Sequence, residues 1–464
     1  MINLHAVLGD ISRAGGSPLL VGGCVRDKLM GLEPKDIDVE VYGMDADSLK
    51  TVLGQHGKVD AVGAAFGILK LGNYDFSLPR RENKQGAGHR GFMVDVDPTM
   101  TVEEAASRRD FTINSMAQNP FTGEIYDPFD GRIHLENAFL CPTSPAFKED
   151  PLRVLRGMQF AGRFNMMASS ECVRMSKEIA HEYPALAVER VWGEWEKWAL
   201  RSTHPMAGLT FLDEVGWLHL YPELWLLDFT PQDKDWHPEG NAWVHTKFVV
   251  EAMGKVCDRE NIQGEQRLVL MFAALTHDLG KPSCTEWTER KSIMRWTSNG
   301  HEQAGVPIAE AFLKSIGCLQ SVIDKVLPLV GNHLAHIVPD MSKRYIRRLS
   351  LRLYPATLVE LDMLIEADMS GRPPLPAGKH PASQKMLALA KEEDLGQRKP
   401  EPLVKGRHLI ELGMKPGPEM GIVLKALFEK QLDCEFSTEE EGLEFAKALV
   451  FPILFPVDVY VIRN

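Results

Sequence analysis

Hydrophobic and polar positions give the chain two textures. Up to about residue 145, short apolar runs alternate with turn residues, the pattern of a small mixed α/β unit. A leading helix over about 3 to 15 comes first. The run Leu19-Leu20-Val21 then enters a Gly22-Gly23 turn and a helix start at Cys24-Val25-Arg26-Asp27. Lys35-Asp36-Ile37-Asp38-Val39-Glu40-Val41 predicts a strand that carries Asp36 and Asp38 on one face, because side chains alternate along a strand. Met44 to Gly54 predicts a helix. Strands are expected at Val59 to Gly63, Phe66 to Leu71 and Asn73 to Leu78, and a polar, mobile loop over Arg80 to Arg90. Thr101, with Glu103 and Glu104 behind it, is the cap of a further helix.

From Glu149 the pattern turns helical. Leu152, Leu155 and Phe160 are apolar, while Arg153 and Arg156 sit three apart on one face. The helical pattern continues to about 229, interrupted near Pro205 and Pro222. Residues 230 to 240 are polar and punctuated by prolines, an expected boundary. A second helical module is expected over 241 to 375, with Gly371-Arg372-Pro373-Pro374-Leu375-Pro376 as a linker-like break. Further helices are expected over 380 to 395 and 401 to 450. The fold class is therefore α+β: a small mixed or antiparallel-sheet head followed by a large all-α remainder.

Composition narrows the class. The 464 residues have room for two to four domains. No apolar run reaches the length of a membrane span, and no basic segment followed by an apolar core opens the chain, so a cytoplasmic location is expected. The 7 cysteines are scattered without a Cys-x-x-Cys pair, which points to a reducing compartment. A net charge of -12 argues against indiscriminate nucleic-acid binding and leaves room for a local basic groove.

Candidate chemistry gathers in the head. The Gly22-Gly23 turn can bring backbone amides close to a phosphate. Asp36 and Asp38 repel each other as neighbours, and divalent cations relieve that repulsion. A phosphate-binding turn beside paired carboxylates suits metal-dependent phosphoryl transfer. Asp75 is a candidate third carboxylate. Arg26 either meets phosphates or pairs with Asp27 at the helix start. Arg109, Asp110 and Asn114 offer a cation, an acceptor and an amide, the mix a nucleoside triphosphate needs. In Glu149-Asp150-Pro151-Leu152-Arg153-Val154-Leu155-Arg156, Asp150 and Arg153 can match the Watson–Crick edge of a base with accepting and donating groups.

These runs, Gly22-Gly23-x-Val25-Arg26-Asp27, Asp36-x-Asp38, Arg108-Arg109-Asp110-Phe111-Thr112-Ile113-Asn114 and Glu149-Asp150-x-x-Arg153-x-x-Arg156, resemble the bacterial tRNA nucleotidyltransferase and poly(A) polymerase family. These are class II members of the polymerase-β-like superfamily. The motifs fall in the family's order across the first half of the chain. The resemblance implies that Asp36 and Asp38 hold catalytic Mg2+, that Arg109 and its neighbours contact nucleotide, and that Asp150 and Arg153 select CTP or ATP. It implies a nucleotidyltransferase head over 1–145 and a helical neck and body over 146–230 that selects nucleotide and binds RNA. Over 380–464 it implies a helical C-terminal segment, where Leu409-Ile410-Glu411-Leu412-Gly413-Met414-Lys415-Pro416-Gly417-Pro418 is similar to the family's ending. The implied activity is addition of CCA to the tRNA 3' end from CTP and ATP. Poly(A) synthesis, CC-only or A-only addition, and a nucleotide or RNA phosphohydrolase with a recognition-only head are the alternatives.

A second constellation lies in the helical module. His277-Asp278 follows Val269-Leu270-Met271-Phe272-Ala273-Ala274-Leu275, and adjacent His and Asp can share one metal. His245 lies upstream; His301, His333 and Asp368 lie downstream, with His336 an alternative to His333. Together they resemble an HD phosphohydrolase domain over 241–375. The resemblance implies a metal-dependent phosphodiesterase or phosphatase whose divalent transition ion is Ni2+, Mn2+ or Co2+.

Overall fold

The computed structural model describes residues 2–61, 68–84 and 92–454, with backbone alone for 61, 81–84 and 92–95. The described chain divides into two compact units, 1–226 with 312–318 and 227–311 with 319–464. Among the described residues no helix is long and apolar enough to cross a membrane.

The first unit begins with α1 (Leu4–Arg13), β1 (Ser17–Val21), α2 (Gly23–Leu29), β2 (Ile37–Tyr42), α3 (Ala46–Gly54), β3 (Val59–Ala61), β4 (Ile68–Leu71), β5 (Tyr74–Ser77), β6 (Arg80–Lys84) and β7 (Phe92–Val96). It continues through α4 (Val102–Ser107), β8 (Ala117–Gln118), β9 (Ile125–Tyr126), α5 (Gly131–Glu136), β10 (Phe139–Leu140), α6 (Leu152–Phe164), β11 (Met167–Ala168), α7 (Ser170–Glu178), α8 (Val188–Arg201), α9 (Pro205–Glu214) and α10 (Pro222–Asp228), whose last turn crosses the boundary. Seven strands form one mixed sheet in the order β3-β4-β5-β2-β1-β8-β9. All its neighbours are antiparallel except β2 and β5, which run parallel.

Amphipathic α1 and α3 cover one face of this sheet, burying Val7, Ile11, Leu49 and Leu53 against Val39, Val41 and Phe76. Thr101 and Glu104 close a reciprocal capping box on α4, as the sequence signature predicts. Pro205 and Pro222 each open a helix at its first position, where no intrahelical N–H is needed.

Three expectations change here. The strand carrying Asp38 starts at Ile37, so Asp36 sits in the residue just before it, close enough for its charge to act on Asp38. Arg80–Lys84 is strand β6, paired antiparallel with β7, and not loop. The rest of that expected loop, 85–90, lies outside the described residues, as do 62–63 and 66–67 of two expected strands. Within the expected helical stretch, Met167–Ala168 pairs parallel with β10.

The second unit contains α11 (Ala242–Arg259), α12 (Gly264–Thr276), α13 (Lys281–Cys284), β12 (Glu286–Arg290), β13 (Ile293–Thr297), α14 (His301–Ser315), α15 (Gln320–Asn332), α16 (Lys343–Leu353), α17 (Leu358–Ser370), α18 (Pro381–Glu392), α19 (Gly406–Glu411), α20 (Pro418–Leu432) and α21 (Glu439–Leu454). Within this span only residues 312–318, which include the end of α14, belong to the first unit. Helix α12 is buried almost throughout, which matches its continuous apolar run, and packs on α11, α15 and α17.

The hairpin β12–β13 interrupts the expected all-helical module. Lys291 and Ser292 both take positive φ, 51° and 62°, the backbone of a two-residue hairpin turn. Neither is a glycine or asparagine, so the turn carries no sequence signal. Gly371 is not a free linker: a Cβ there would stand 2.5 Å from Val249 Cγ2, in close contact with α11.

Candidate active sites

In the first unit, β1 delivers the chain into Gly22, whose φ of 74° and ψ of −133° suit glycine alone. A Cβ on Gly22 would stand 3.3 Å from Arg109 Nη1 and 4.0 Å from Asp38 Oδ2, so the turn lies between the acidic strand and the cationic wall. Parallel pairing sets Asp38 of β2 directly opposite Asp75 of β5. Both line a cleft of ≈ 660 Å³ in this unit, together with Gly22, Gly23, Arg26 and Arg109. Asp110, Asn114, Asp150, Arg153 and Arg156 also line it. Asp36 and Asp38 are both exposed, and of the two Asp38 lines the cleft.

The charges explain each other. Asp38 titrates above the usual carboxylate range: protein crowds it in the cleft, and the negative charges of Asp75, Asp36 and Glu40 add to the cost of ionising it, against Arg109. An acid surplus of this kind fits divalent cations, the hard partners of carboxylate oxygens.

Opposite stands a network of cations. Glu40, 1 % exposed, lies 3.1 Å from Arg108 Nη2 and 3.2 Å from Arg109 Nη2, and accepts from the Tyr42 hydroxyl at 2.8 Å. Arg109 Nη1 also donates to the Asn114 carbonyl at 3.0 Å. Arg26 pairs with Asp27, donating from Nε at 2.9 Å, and bonds the Asn114 side-chain oxygen. The helix-start ion pair and the cleft position of Arg26 therefore coexist. Asp110 accepts from Asn114 Nδ2 at 3.0 Å, from the Phe111 amide at 2.8 Å and from Arg156 Nε at 2.7 Å. Burial opposes its ionisation, but Arg156 and these donors hold its carboxyl below the usual range.

Asp150 accepts from Arg190 Nη2 at 2.7 Å. Arg153 donates to the carbonyls of Ala146, at 2.8 Å, and Arg108, at 2.6 Å. Asp150 and Arg153 thus share the cleft, each anchored by its own neighbours. Glu40 and Arg190 escaped the sequence reasoning. Glu40 reads as one more polar residue of an alternating strand, and Arg190 lies 40 residues from its partner.

In the second unit, four histidines converge. His277 ends α12 and His333 ends α15; His301 begins α14 and His245 lies in the first turn of α11. Each turns Nδ1 to a backbone carbonyl: His277 to Ala274 at 2.9 Å, His333 to Val330 at 2.7 Å, His301 to Ser298 at 2.6 Å and His245 to Gly371 at 3.2 Å. A carbonyl only accepts, so Nδ1 carries the proton, and in the neutral ring Nε2 presents its lone pair. Asp278 Oδ1 lies 3.1 Å from His301 Nε2, and Asp368 Oδ1 lies 3.1 Å from His245 Nε2.

This donor set fits a metal. His301 Nε2 and His333 Nε2 face each other at 3.1 Å with both Nδ1 protons already committed, so a cation or a further proton must separate the lone pairs. Two ligands at roughly 2.1 Å from one ion and at right angles would stand about 3.0 Å apart. His277 Nε2 is also buried without a well-formed hydrogen bond. Backbone carbonyls on Nδ1 are the outer support that orients a metal-binding imidazole.

Asp278 and Asp368 are held well below the usual carboxylate range. Burial opposes this, but His277 and Lys281 act on Asp278, and His245 acts on Asp368. His333 is pushed down to about 3 by burial and by the charges of His301 and His277. His336 packs beside His380, with ring centroids 4.8 Å apart, while His333 stands with His301 and Asp278.

The 230–240 stretch, expected to be a boundary, supplies part of this site. Glu239 Oε1 lies 2.8 Å from His245 Nδ1 and 2.9 Å from His237 Nδ1. Burial opposes its ionisation, yet the His237 and His245 hydrogen bonds hold its carboxyl at about 2. Buried Lys281 lies 2.6 Å from Asp278 Oδ2 and donates to Gln232 Oε1 at 2.7 Å. Pairing with Asp278 through an i,i+3 step is the signal that could have marked Lys281.

Comparison with known proteins follows the same division. A family model described as the poly A polymerase head domain matches residues 19–141, and the HD domain model matches 243–366. The multifunctional CCA protein of Xanthomonas campestris pv. campestris is 34% identical over 366 residues, covering 76% of this chain and 85% of that protein. That of Pasteurella multocida is 39% identical over 295 residues, 62% of this chain and 66% of its own. The crystal structure of the Bacillus stearothermophilus CCA-adding enzyme in complex with CTP shares the fold at a TM-score of 0.65 and 19% identity, covering 97% of each chain. The Thermotoga maritima CCA-adding enzyme complexed with tRNA aligns at a TM-score of 0.56 and 18% identity, covering 96% of this chain and 94% of that one.

Proposed function

The chain belongs to the family of multifunctional CCA proteins, and from that membership we propose that it builds and repairs the CCA end of transfer RNA from CTP and ATP. The carrying observation is the opposition of Asp38 and Asp75 on parallel strands, beside the positive-φ turn at Gly22 and facing Arg109. Asp36 and Asp38, with Asp75 opposite Asp38 as a third carboxylate, are the residues assigned to Mg2+. Bound there, the ions neutralise triphosphate charge and favour the alkoxide of the attacking hydroxyl.

The chain's own groups do the rest. The RNA 3'-hydroxyl attacks the α-phosphate, the bond to the bridging oxygen breaks and pyrophosphate leaves, with no covalent enzyme intermediate. The Gly22-Gly23 backbone lets the triphosphate approach, and Arg26 and Arg109, braced by Asp27, Asn114 and Glu40, meet its oxygens. Asp110 and Arg156 position Asn114 from below. Asp150 and Arg153 read the base, and Arg190 holds the Asp150 carboxylate in place. Work on transfer RNA with CTP and ATP assigns the protein to the cytoplasm.

The test is a set of tRNA transcripts ending before CCA, before CA and before A, incubated with each nucleotide and the products sequenced. Completion of CCA from all three supports the reading. Growth beyond CCA on unrelated RNA would identify a poly(A) polymerase instead, and arrest after CC or failure to start without it would identify a specialist.

The second unit supports a second activity, metal-dependent hydrolysis of phosphate esters. His245, His277, Asp278, His301, His333 and Asp368 are the residues assigned to a transition ion such as Ni2+, Mn2+ or Co2+. A bound ion there lowers the pKa of water and polarises the phosphate. Replacing His277 by Ala is expected to abolish phosphatase activity with nucleotide addition retained; equal loss of both, with the fold intact, contradicts two independent sites.

A further inference from the structure

Beside the histidine cluster, the second unit shows apolar surface that the metal chemistry does not use. Trp236 is 63% exposed, Trp287 52%, Ile293 54% and Met294 44%. Trp287 and Trp296 stand opposite each other across β12 and β13, with ring centroids 4.9 Å apart. A two-stranded ribbon has little stability of its own, and large apolar side chains clustered on one are surface that a ligand is suited to cover. Salt bridges hold the ribbon in place: Arg295 Nη1 lies 3.0 Å from Asp233 Oδ1 and 2.7 Å from Asp235 Oδ2.

Two clefts meet there. The inner one, ≈ 430 Å³, is lined by Asp278, His301, His333 and Asp368, and also by Trp236 and Arg372. The outer one, ≈ 900 Å³, is lined by Trp287, Ile293 and Met294. Gln232, Asp233, His237 and Trp296 line both, so the two are adjacent. Charge is divided between them. In the outer cleft Arg295 is neutralised by Asp233 and Asp235. In the inner cleft Arg372 has a buried Nε with no hydrogen-bond partner among the described residues, and its Nη2 meets the Met369 sulfur. A guanidinium with a free Nε beside a metal-binding cluster suits a phosphate; a tryptophan-walled recess whose arginine is already neutralised suits a planar uncharged ring.

We propose that the tryptophan hairpin is a base-binding subsite: Trp287, Trp296 and Trp236 stack on the nucleobase of a phosphoester whose phosphate lies between Arg372 and the histidine cluster. This rests on the hydrolase reading of that cluster and adds what selects its substrate. Aromatic stacking accepts any base, because every base has a π-face. The device therefore separates nucleoside phosphates from base-free phosphate esters without reading sequence.

The experiment uses the full-length protein and two phosphomonoesters, adenosine 2'-monophosphate and glycerol 2-phosphate. Trp287→Ala is expected to raise KM for the nucleotide about tenfold, with kcat and the hydrolysis of glycerol 2-phosphate unchanged. Trp287→Phe keeps a ring and is expected to restore most of the loss, which separates stacking from collapse of the hairpin. A short RNA ending in a 2'-phosphate, run alongside, shows whether the occupant is a free nucleotide or an RNA end. Unchanged KM for the nucleotide, or equal loss on both substrates with Phe no better than Ala, overturns the proposal. If the parent protein hydrolyses neither ester, the hydrolase reading fails by itself. The subsite is then decided by calorimetric binding of adenosine 2'-monophosphate, which Trp287→Ala must weaken about tenfold.

Discussion

Gly280 offers the sharpest test of how the histidine cluster is held. Its φ of −80° is open to any residue, so alanine meets no conformational barrier. Space is the constraint. A Cβ on Gly280 would stand 2.0 Å from the His301 carbonyl oxygen and 2.6 Å from the Gly305 amide nitrogen. Both are backbone atoms of α14, so no rotamer change relieves the clash. Restoring even a 3.0 Å contact moves the start of α14 by about 1 Å, and His301 moves with it. Overpacking of this kind costs about 1–3 kcal/mol. A misplacement of about 1 Å in an active site costs on the order of 100-fold in rate.

Gly280→Ala is therefore expected to lower phosphatase turnover about 100-fold and to weaken binding of the transition ion, while CCA addition stays within about twofold. Hydrolysis of adenosine 2'-monophosphate, metal titration by calorimetry and the tRNA assay read these three quantities. Gly305→Ala is the internal control: its Cβ would meet Gly280 N at 3.1 Å, a contact small shifts absorb, and the loss should be at least tenfold smaller. Retention of full hydrolysis and metal affinity by Gly280→Ala would show that the approach of α14 to Gly280 does not set the site. Parallel loss of CCA addition would show that the substitution disturbs more than the cluster.

Gly22→Ala forces an L side chain into a backbone region that costs about 1–3 kcal/mol and puts a methyl 3.3 Å from Arg109 Nη1; CCA addition should fall by at least tenfold, with hydrolysis unaffected. Asp38→Asn should abolish nucleotide addition and, without metal, raise the thermal midpoint at pH 7. The sign follows from a folded-state pKa raised above the ordinary 3.8: ionisation costs the folded state, the penalty is absent below pH 3.8, grows as pH rises through the folded-state value and is full above it. An equal midpoint for Asp38→Asn and the parent at pH 7 in a chelator would contradict this, and Mg2+ should stabilise only the parent. Glu40→Gln leaves Arg108 and Arg109 without their shared buried counter-charge; a lower thermal midpoint and a higher KM for both nucleotides are expected, and unchanged KM would remove Glu40 from the positioning network.

The chain's local chemistry was legible without its structure. The Gly22-Gly23 turn, the cap at Thr101 and the helix breaks at Pro205 and Pro222 all follow from interactions within a few residues, where the sequence states both partners. The motif runs of the head and the His277-Asp278 pair could be read for the same reason: each is a short segment whose residues travel together. Expectations fell short where a distant partner decided. Asp36 and Asp38 pair by spacing, but no spacing announces that the parallel register of β5 sets Asp75 opposite Asp38. Polar residues at 230–240 follow closely on the unit boundary at 226/227, but nothing local says that Glu239 will meet His245. The β12–β13 turn at Lys291 and Ser292 left no glycine or asparagine to announce it.

The sequence by itself thus determined the elements, the inventory of reactive groups and their order along the chain. The tertiary structure decided which of those groups face one another. It set Asp38 against Asp75 through parallel register, buried Glu40 beneath two arginines, and brought four Nε2 atoms together by tying each Nδ1 to a carbonyl. The physical reason is range: capping, turn strain and helical periodicity act over a few residues, whereas strand register, close packing such as that at Gly280 and buried charge pairing join residues tens of positions apart, and only the folded chain specifies them.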